Sequence, residues 1–222
     1  MNKSFTNINE SSDIWYHGTP DVRELRKEGG FTSRTTTLDY IKDLEGYHQL
    51  QEKMKEARAE GDENAYFKYI DMVPKTRDVF KMRSPVFFTN NHTVAKTYAN
   101  PSRAFDNQNS IEDVLKAQIR SNNGVTINAT GDRFRFIDTS KVKRGFLNAG
   151  VNEKEFDLVL SRFNYYLSNK TGIKTDMIAA LAEWFTFDYV DVNGVLDSHE
   201  GGSIKSTVRM VLDPTDINII SK

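Results

Sequence analysis

The sequence predicts an α+β fold, with short strands and helices interleaved but no regular strand–helix alternation. Three observations lead there. Short apolar runs bounded by turn residues recur, as in Ile14-Trp15-Tyr16 ahead of Gly18 and Pro20, and Val86-Phe87-Phe88-Thr89 ahead of Asn90-Asn91. Other stretches repeat apolar residues every three or four positions, as amphipathic helices do. The 222-residue chain is also long enough to bury a core as one domain, 1–222, carrying a helical insertion at about 37–75.

Taken in order, residues 1–12 are polar and expected to be loosely ordered. A strand follows at about 13–17, then a helical turn from Asp21 to Lys27 closed by Gly29-Gly30, then a polar loop from Phe31 to Thr37. Leu38, Ile41, Leu44, Tyr47, Leu50 and Met54 predict an amphipathic helix over 38–60, and the charges between them form a solvated face. Gly61-Asp62 breaks it, and a second helix over about 63–72 stops at Pro74. The pair reads as a hairpin inserted into the mixed fold. After the strand at 86–89, Thr93–Tyr98 and Ile111–Arg120 are predicted helices, and strands at 125–127 and 134–137 flank the Gly131-Asp132 turn. Helices are predicted over 153–167, with a core stripe of Phe156, Leu160, Phe163 and Leu167, and over 176–184. Strands at 189–192 and 208–212 close the sheet around a polar loop, Leu196 to Ser206.

Composition narrows the function. A net charge of -1 argues against a generally basic nucleic-acid binder. Arg133, Arg135, Lys141, Lys143 and Arg144 form either a local nucleic-acid face or a solvated surface, and the lack of an overall basic field favours the second. No cysteine is present, so disulfides, thiolate metal sites and a cysteine nucleophile are excluded. The four histidines show no zinc-site spacing, and no metal is expected. No apolar run approaches a membrane span, and the polar first ten residues lack a signal-peptide core, so a cytoplasmic protein with no membrane partner is expected.

Three segments carry candidate chemistry. Tyr16-His17-Gly18-Thr19 puts an imidazole, an approachable backbone and a hydroxyl at a strand end, where a small ligand's amide and sugar hydroxyls could be held. Phe87-Phe88-Thr89 followed by Ala95-Lys96-Thr97-Tyr98 reads as strand, turn, helix, and places Tyr98 above the strand end. There a phenol ring could stack on a flat ligand, and a cationic ring such as oxidised nicotinamide would add about 0.5–2 kcal/mol. Asp197 and Glu200 lie in a glycine-containing stretch before the last strand. Breaking a glycosidic bond through an oxocarbenium-like transition state requires nearby negative charge and a base for the nucleophile, which either acid could supply.

Together these segments resemble the ADP-ribosyltransferase superfamily, in its histidine–tyrosine–acid branch, and are similar to small ADP-ribosyltransferase domains of phage and mobile elements. Tyr16-His17-Gly18-Thr19 looks like the first-strand motif, Phe87-Phe88-Thr89 with Ala95 and Tyr98 like the second, and Val211-Leu212-Asp213-Pro214 with Ile217 like the closing strand and its exit. Phe136-Ile137-Asp138 resembles an intermediate strand of such domains. The resemblance covers roughly 13–35 and 84–220.

It implies two small, mainly antiparallel sheets with flanking helices and NAD+ in the cleft between them. NAD+ is then a co-substrate. His17 would bond the nicotinamide-side ribose, Gly18 the carboxamide and Thr19 the ribose. Thr89 would join the cofactor contacts, Tyr98 would stack on nicotinamide, and Arg34 would reach a phosphate. One departure stands out. Relatives often carry the acid at the start of the closing strand, where this chain reads Ser206-Thr207-Val208-Arg209. Asp197, then Glu200, are the substitutes. The implied activity is transfer of ADP-ribose to a protein or nucleic-acid acceptor with release of nicotinamide, in a toxin, phage effector or defence component, with an antitoxin or regulatory protein as a further partner. The alternative is a catalytically degenerate nucleotide- or partner-binding module. An RNA phosphotransferase relative ranks lower, because its arginine set has no evident counterpart in the sequence.

Overall fold

The computed structural model describes residues 14–19, 25, 30–99, 113–163, 172–197 and 204–221. The predicted loose N-terminus, the turn at Asp21–Lys27 apart from Leu25, the end of the 153–167 helix, and Glu200 lie outside them.

The architecture is mixed α+β. A seven-stranded sheet is built from β1 (Trp15–Thr19), β4 (Val86–Thr89), β5 (Asp113–Ile119), β6 (Gly124–Asn128), β9 (Tyr189–Asp197), β10 (Ile204–Val211) and β11 (Ile217–Ser221), in the order β11-β5-β1-β4-β10-β9-β6. Every neighbouring pair is antiparallel except β6 and β9. Two-stranded sheets pair β2 (Thr35–Ile41) with β3 (Arg77–Arg83), and β7 (Phe136–Asp138) with β8 (Gly172–Lys174). The α-helices are α1 (Leu44–Glu60), α2 (Glu63–Met72), α3 (His92–Ala99), α4 (Thr139–Asn148), α5 (Glu153–Phe163) and α6 (Thr175–Trp184), with short 3-10 turns at Val73–Thr76 and Pro214–Asp216.

The main core lies where β6, β9 and β10 meet the last three helices. Val125, Ile127, Val190, Val192 and Met210 pack with Phe146 of α4, Phe156 and Phe163 of α5, and Ile178 and Leu181 of α6. Each fully buried side chain of this size stabilises the fold by about 1.5–3 kcal/mol. The helix α6 is buried from Met177 through Ala182, so its sequence is apolar all round rather than striped. A smaller core joins Trp15, Phe88, Ala117 and Val211 across the other strands. Beside it the Arg209 guanidinium lies between the rings of Trp15 and Tyr189, 4.2 Å from each, and donates two 2.6 Å hydrogen bonds to the Asp191 carboxylate.

The insertion is an arm, not a bare helical hairpin. The strands β2 and β3 pair over seven residues, from Thr35↔Arg83 to Ile41↔Arg77, and carry the two helices at their tip. Asp43 caps α1 by accepting from the Gly46 amide, and Asp62 caps α2 by accepting from Ala65. Gly61 joins them in a left-handed conformation, φ 72°. The predicted helix therefore begins at Leu44 instead of 38, and Thr35–Thr37 at the end of the expected polar loop continue through Ile41 as a strand.

Four further readings are corrected. The helix expected over 111–120 is the strand β5, held between β1 and β11. The strand expected at 134–137 is β7, Phe136–Asp138, and its partner is β8. The polar loop before the last strand is shorter than expected, since β9 runs to Asp197 and β10 begins at Ile204. Finally, in place of two separate small packed sheets there is one large sheet accompanied by two ribbons.

Candidate functional site

The large sheet is barely joined at its middle. The strand β1 pairs with β5 over five residues and β4 pairs with β10 over four, but β1 and β4 share a single register position, Tyr16↔Thr89. The next rung of an antiparallel ladder would fall two residues along, at Gly18 and Phe87. Instead the Nδ1–H of His17 donates to the Phe87 carbonyl at 2.8 Å. A side chain thus occupies the acceptor that the backbone would have used, and the sheet opens there.

A cavity of about 620 Å³ fills the opening. His17, Gly18, Thr89 and Tyr98 line it together with Tyr16 and Phe88. A second cavity of about 300 Å³ shares His17 and Phe87 with the first, and is lined by Thr19, Phe31 and Arg34. The predicted site residues therefore divide between two adjoining cavities, with His17 in the wall between them.

The chemistry of His17 follows from its surroundings. Burial pushes its pKa below the ordinary value, and the bond to the Phe87 carbonyl opposes that only in part. Phe31 stands edge-on to the ring at 4.9 Å. Because Nδ1 gives its proton to a carbonyl, the neutral ring carries its lone pair on Nε2. That atom is an acceptor, suited to a hydroxyl.

Gly18 serves a purpose the sequence did not suggest. A Cβ there would stand 1.9 Å from the carbonyl oxygen of Ala95 in α3. The missing side chain lets α3 lie directly on β1. Val94, Ala95 and Ala99 are buried beneath this helix, and Tyr98 faces the cavity. The turn leading into α3 is fixed by side chains. Asn91 Oδ1 accepts from the amides of Thr93 and Val94 at 2.9 and 3.3 Å, and buried Thr89 Oγ1 accepts from the Asn91 amide at 3.1 Å. Thr89 thus holds the turn as well as lining the cavity.

The remaining wall comes from Arg133, Phe134, Arg135, Thr175, Leu196 and Val208. Val208 pairs with Thr89 at the start of the closing strand's contact with β4, and is apolar. No described residue lining the main cavity is a carboxylate. Asp197 directly follows Leu196 and pairs through its backbone with Ile204, while its side chain, like Glu200, is outside the described residues. Sequence reading missed Thr175 and Val208, and placed the arginines on a surface. Their approach to His17 depends on pairings between segments far apart in the chain.

Among the described residues no cluster of three or more His, Asp or Glu side chains is placed to hold a metal ion, and no helix is long and apolar enough to cross a membrane. No family model matches the chain, and no curated protein or solved structure does.

Proposed function

We propose that this chain is an ADP-ribosyltransferase that binds NAD+ at the opening between β1 and β4 and passes ADP-ribose to a macromolecular acceptor. The observation that carries this reading is the meeting of His17 and Tyr98 on one cavity where the sheet parts. Tyr98 stacks on the nicotinamide ring, whose positive charge the phenol face favours. Nε2 of His17 accepts a ribose hydroxyl, and the Gly18 backbone meets the carboxamide. The adenosine half passes His17 into the second cavity, where Thr19 and Arg34 meet sugar and phosphate. Held bent, the dinucleotide exposes C1′ of the nicotinamide ribose. The C1′–N bond breaks, its electron pair neutralises the pyridinium, and nicotinamide leaves. The acceptor nucleophile bonds to C1′ and loses its proton to a carboxylate, which Asp197 or Glu200 supplies. A toxin, phage effector or defence component with an antitoxin or other regulator would use this chemistry.

One observation favours a second reading. The described lining of the main cavity lacks an acid, and the strand position facing it is Val208. A module that binds a nucleotide without transferring it would look the same. Incubation with labelled NAD+ and cell lysate separates the two. Transferase activity predicts label on lysate macromolecules that is lost in His17→Ala and Tyr98→Ala, and lost in either Asp197→Asn or Glu200→Gln. NAD+ binding with no label transferred identifies the module.

A further inference from the structure

The structure sorts the five cations between 133 and 144 into three groups, with Arg144 standing apart on another cavity beside Thr126 and Asn148. Lys141 Nζ lies 2.9 Å from Asp132 Oδ1 and 2.9 Å from the Thr130 carbonyl. Lys143 lies 2.9 Å from Glu153 and 2.8 Å from Asp157. Both charges are neutralised where they sit. Arg133 and Arg135 are different: they are exposed, they line the main cavity, and among the described residues neither makes an ion pair. Phe134 between them also lines the cavity, its ring edge-on to Phe87 at 5.6 Å.

The segment that carries these residues is a fixed ledge. The Leu196 amide donates to the Asp132 carbonyl at 2.8 Å, and Phe136 donates to the Arg133 carbonyl at 2.9 Å. Asp132 is occupied on both oxygens, by Lys141 and by the Asp138 amide, so it leaves the arginines uncompensated. Two like charges two residues apart on the wall of one cavity repel unless an anion lies between them, and a guanidinium pair matches phosphate oxygens.

We propose that the Arg133-Phe134-Arg135 ledge is the acceptor subsite and that the acceptor is single-stranded nucleic acid. A phosphate sits between the two guanidiniums and a base lies against Phe134. This rests on reading the main cavity as the NAD+ site. The ledge lines that cavity and not the second, where Arg34 lies and where the adenosine half and its phosphates are placed. The ledge is therefore left to the other substrate. With Lys141 and Lys143 neutralised and Arg144 on a different cavity, this run of cations offers no broad positive face to follow a duplex, so recognition is confined to the few nucleotides at the rim.

Fluorescence anisotropy without NAD+ tests the ledge directly. The probes are labelled 12-nucleotide single strands of RNA and of DNA, a duplex of the same length, and a polyglutamate peptide. The wild type is expected to bind a single strand in preference to the duplex and the peptide. Its log K against log salt should slope at about -0.7, as expected for one neutralised phosphate of a single strand. The Arg133→Gln/Arg135→Gln double variant should lose at least tenfold in affinity and most of the slope, while Arg144→Gln keeps both. NAD+ affinity, measured by calorimetry, should be unchanged in the double variant. Failure of the wild type to bind either single strand, or undiminished binding by the double variant, overturns the proposal. So does preferential binding of polyglutamate, which would indicate an acidic protein acceptor. A double variant that loses NAD+ instead assigns the arginines to the donor and also overturns it. If the wild type binds no NAD+, the transferase reading fails on its own and the oligonucleotide data still decide what the ledge holds.

Discussion

His17 links structure to chemistry through its two ring nitrogens. One holds the sheet open by taking the Phe87 carbonyl, which leaves the other as an acceptor toward ligand. Its lowered pKa gives a pH signature. The unfolded chain takes up a proton near 6.5 while the folded protein still resists it, so the contribution is complete above that pH and is lost as pH falls below it. Urea denaturation of wild type and His17→Gln at pH 7.5 and 5.5 should show a smaller acid loss in the variant, and equal losses would refute this account. At Gly18 the expected effect is steric. Gly18→Ala drives a methyl group into the Ala95 carbonyl and must shift α3, at a cost of about 1–3 kcal/mol. Because Tyr98 rides on that helix, ligand affinity should fall along with the denaturation midpoint.

Among the elements, the arm is the most separable. Its helix α2 has no buried residue, and the two helices pack mainly on each other. What ties the arm to the body is the ribbon of β2 and β3. Arg162 of α5 donates to the carbonyls of Ile41 and Lys42, and Arg83 bridges Glu183 and Asp213. Replacing residues 42–76 by an Asn-Gly turn should therefore keep the cooperative melt within a few degrees of wild type and leave NAD+ affinity intact. Loss of folding would show the helices to be part of the core. The sheet itself depends on the Arg209–Asp191 pair, where both side chains are mostly buried. Asp191→Ala leaves a guanidinium between two rings with no counter-charge and should cost about 3–5 kcal/mol by chemical denaturation, with part of the loss restored in Asp191→Ala/Arg209→Met.

Over the whole molecule, the single register between β1 and β4 makes the sheet two halves with a ligand-sized opening. A dinucleotide bound there touches both, so it should act as a clasp. At a hundred times its Kd it would stabilise the fold by about 2.7 kcal/mol. Hydrogen exchange should then slow together at Tyr16–Gly18 and at Phe87–Thr89. Slowing on one side alone would mean that the ligand does not span the opening.

The strands β1, β4 and β10 were legible because their apolar runs are short, end at glycine, asparagine or proline, and meet buried partners on both sides. The candidate site was legible to the same extent: His17 and Tyr98 could be named, each from its own local motif. Other elements were not legible, for physical reasons. Ile111, Val114 and Leu115 mimic a helical spacing, yet burial alternates at Leu115 and Ala117, because β5 takes its neighbours from β1 and β11. Thr35-Thr36-Thr37 looks like a loop until β3, some forty residues on, supplies the pairing. The helix α4 went unread because its stripe of Val142, Gly145 and Phe146 is interrupted by lysine and arginine.

The sequence alone determined the α+β class, the strands β1 and β4 and the break at Gly61-Asp62, since each depends on residues within a few positions of one another. Only the tertiary structure decided that one imidazole stands between two cavities, that Arg133 and Arg135 line the main one while Lys141 and Lys143 meet carboxylates, and that Gly18 makes room for a helix. Those outcomes depend on which distant carbonyl, carboxylate or ring arrives beside each group, and local propensity carries no information about that.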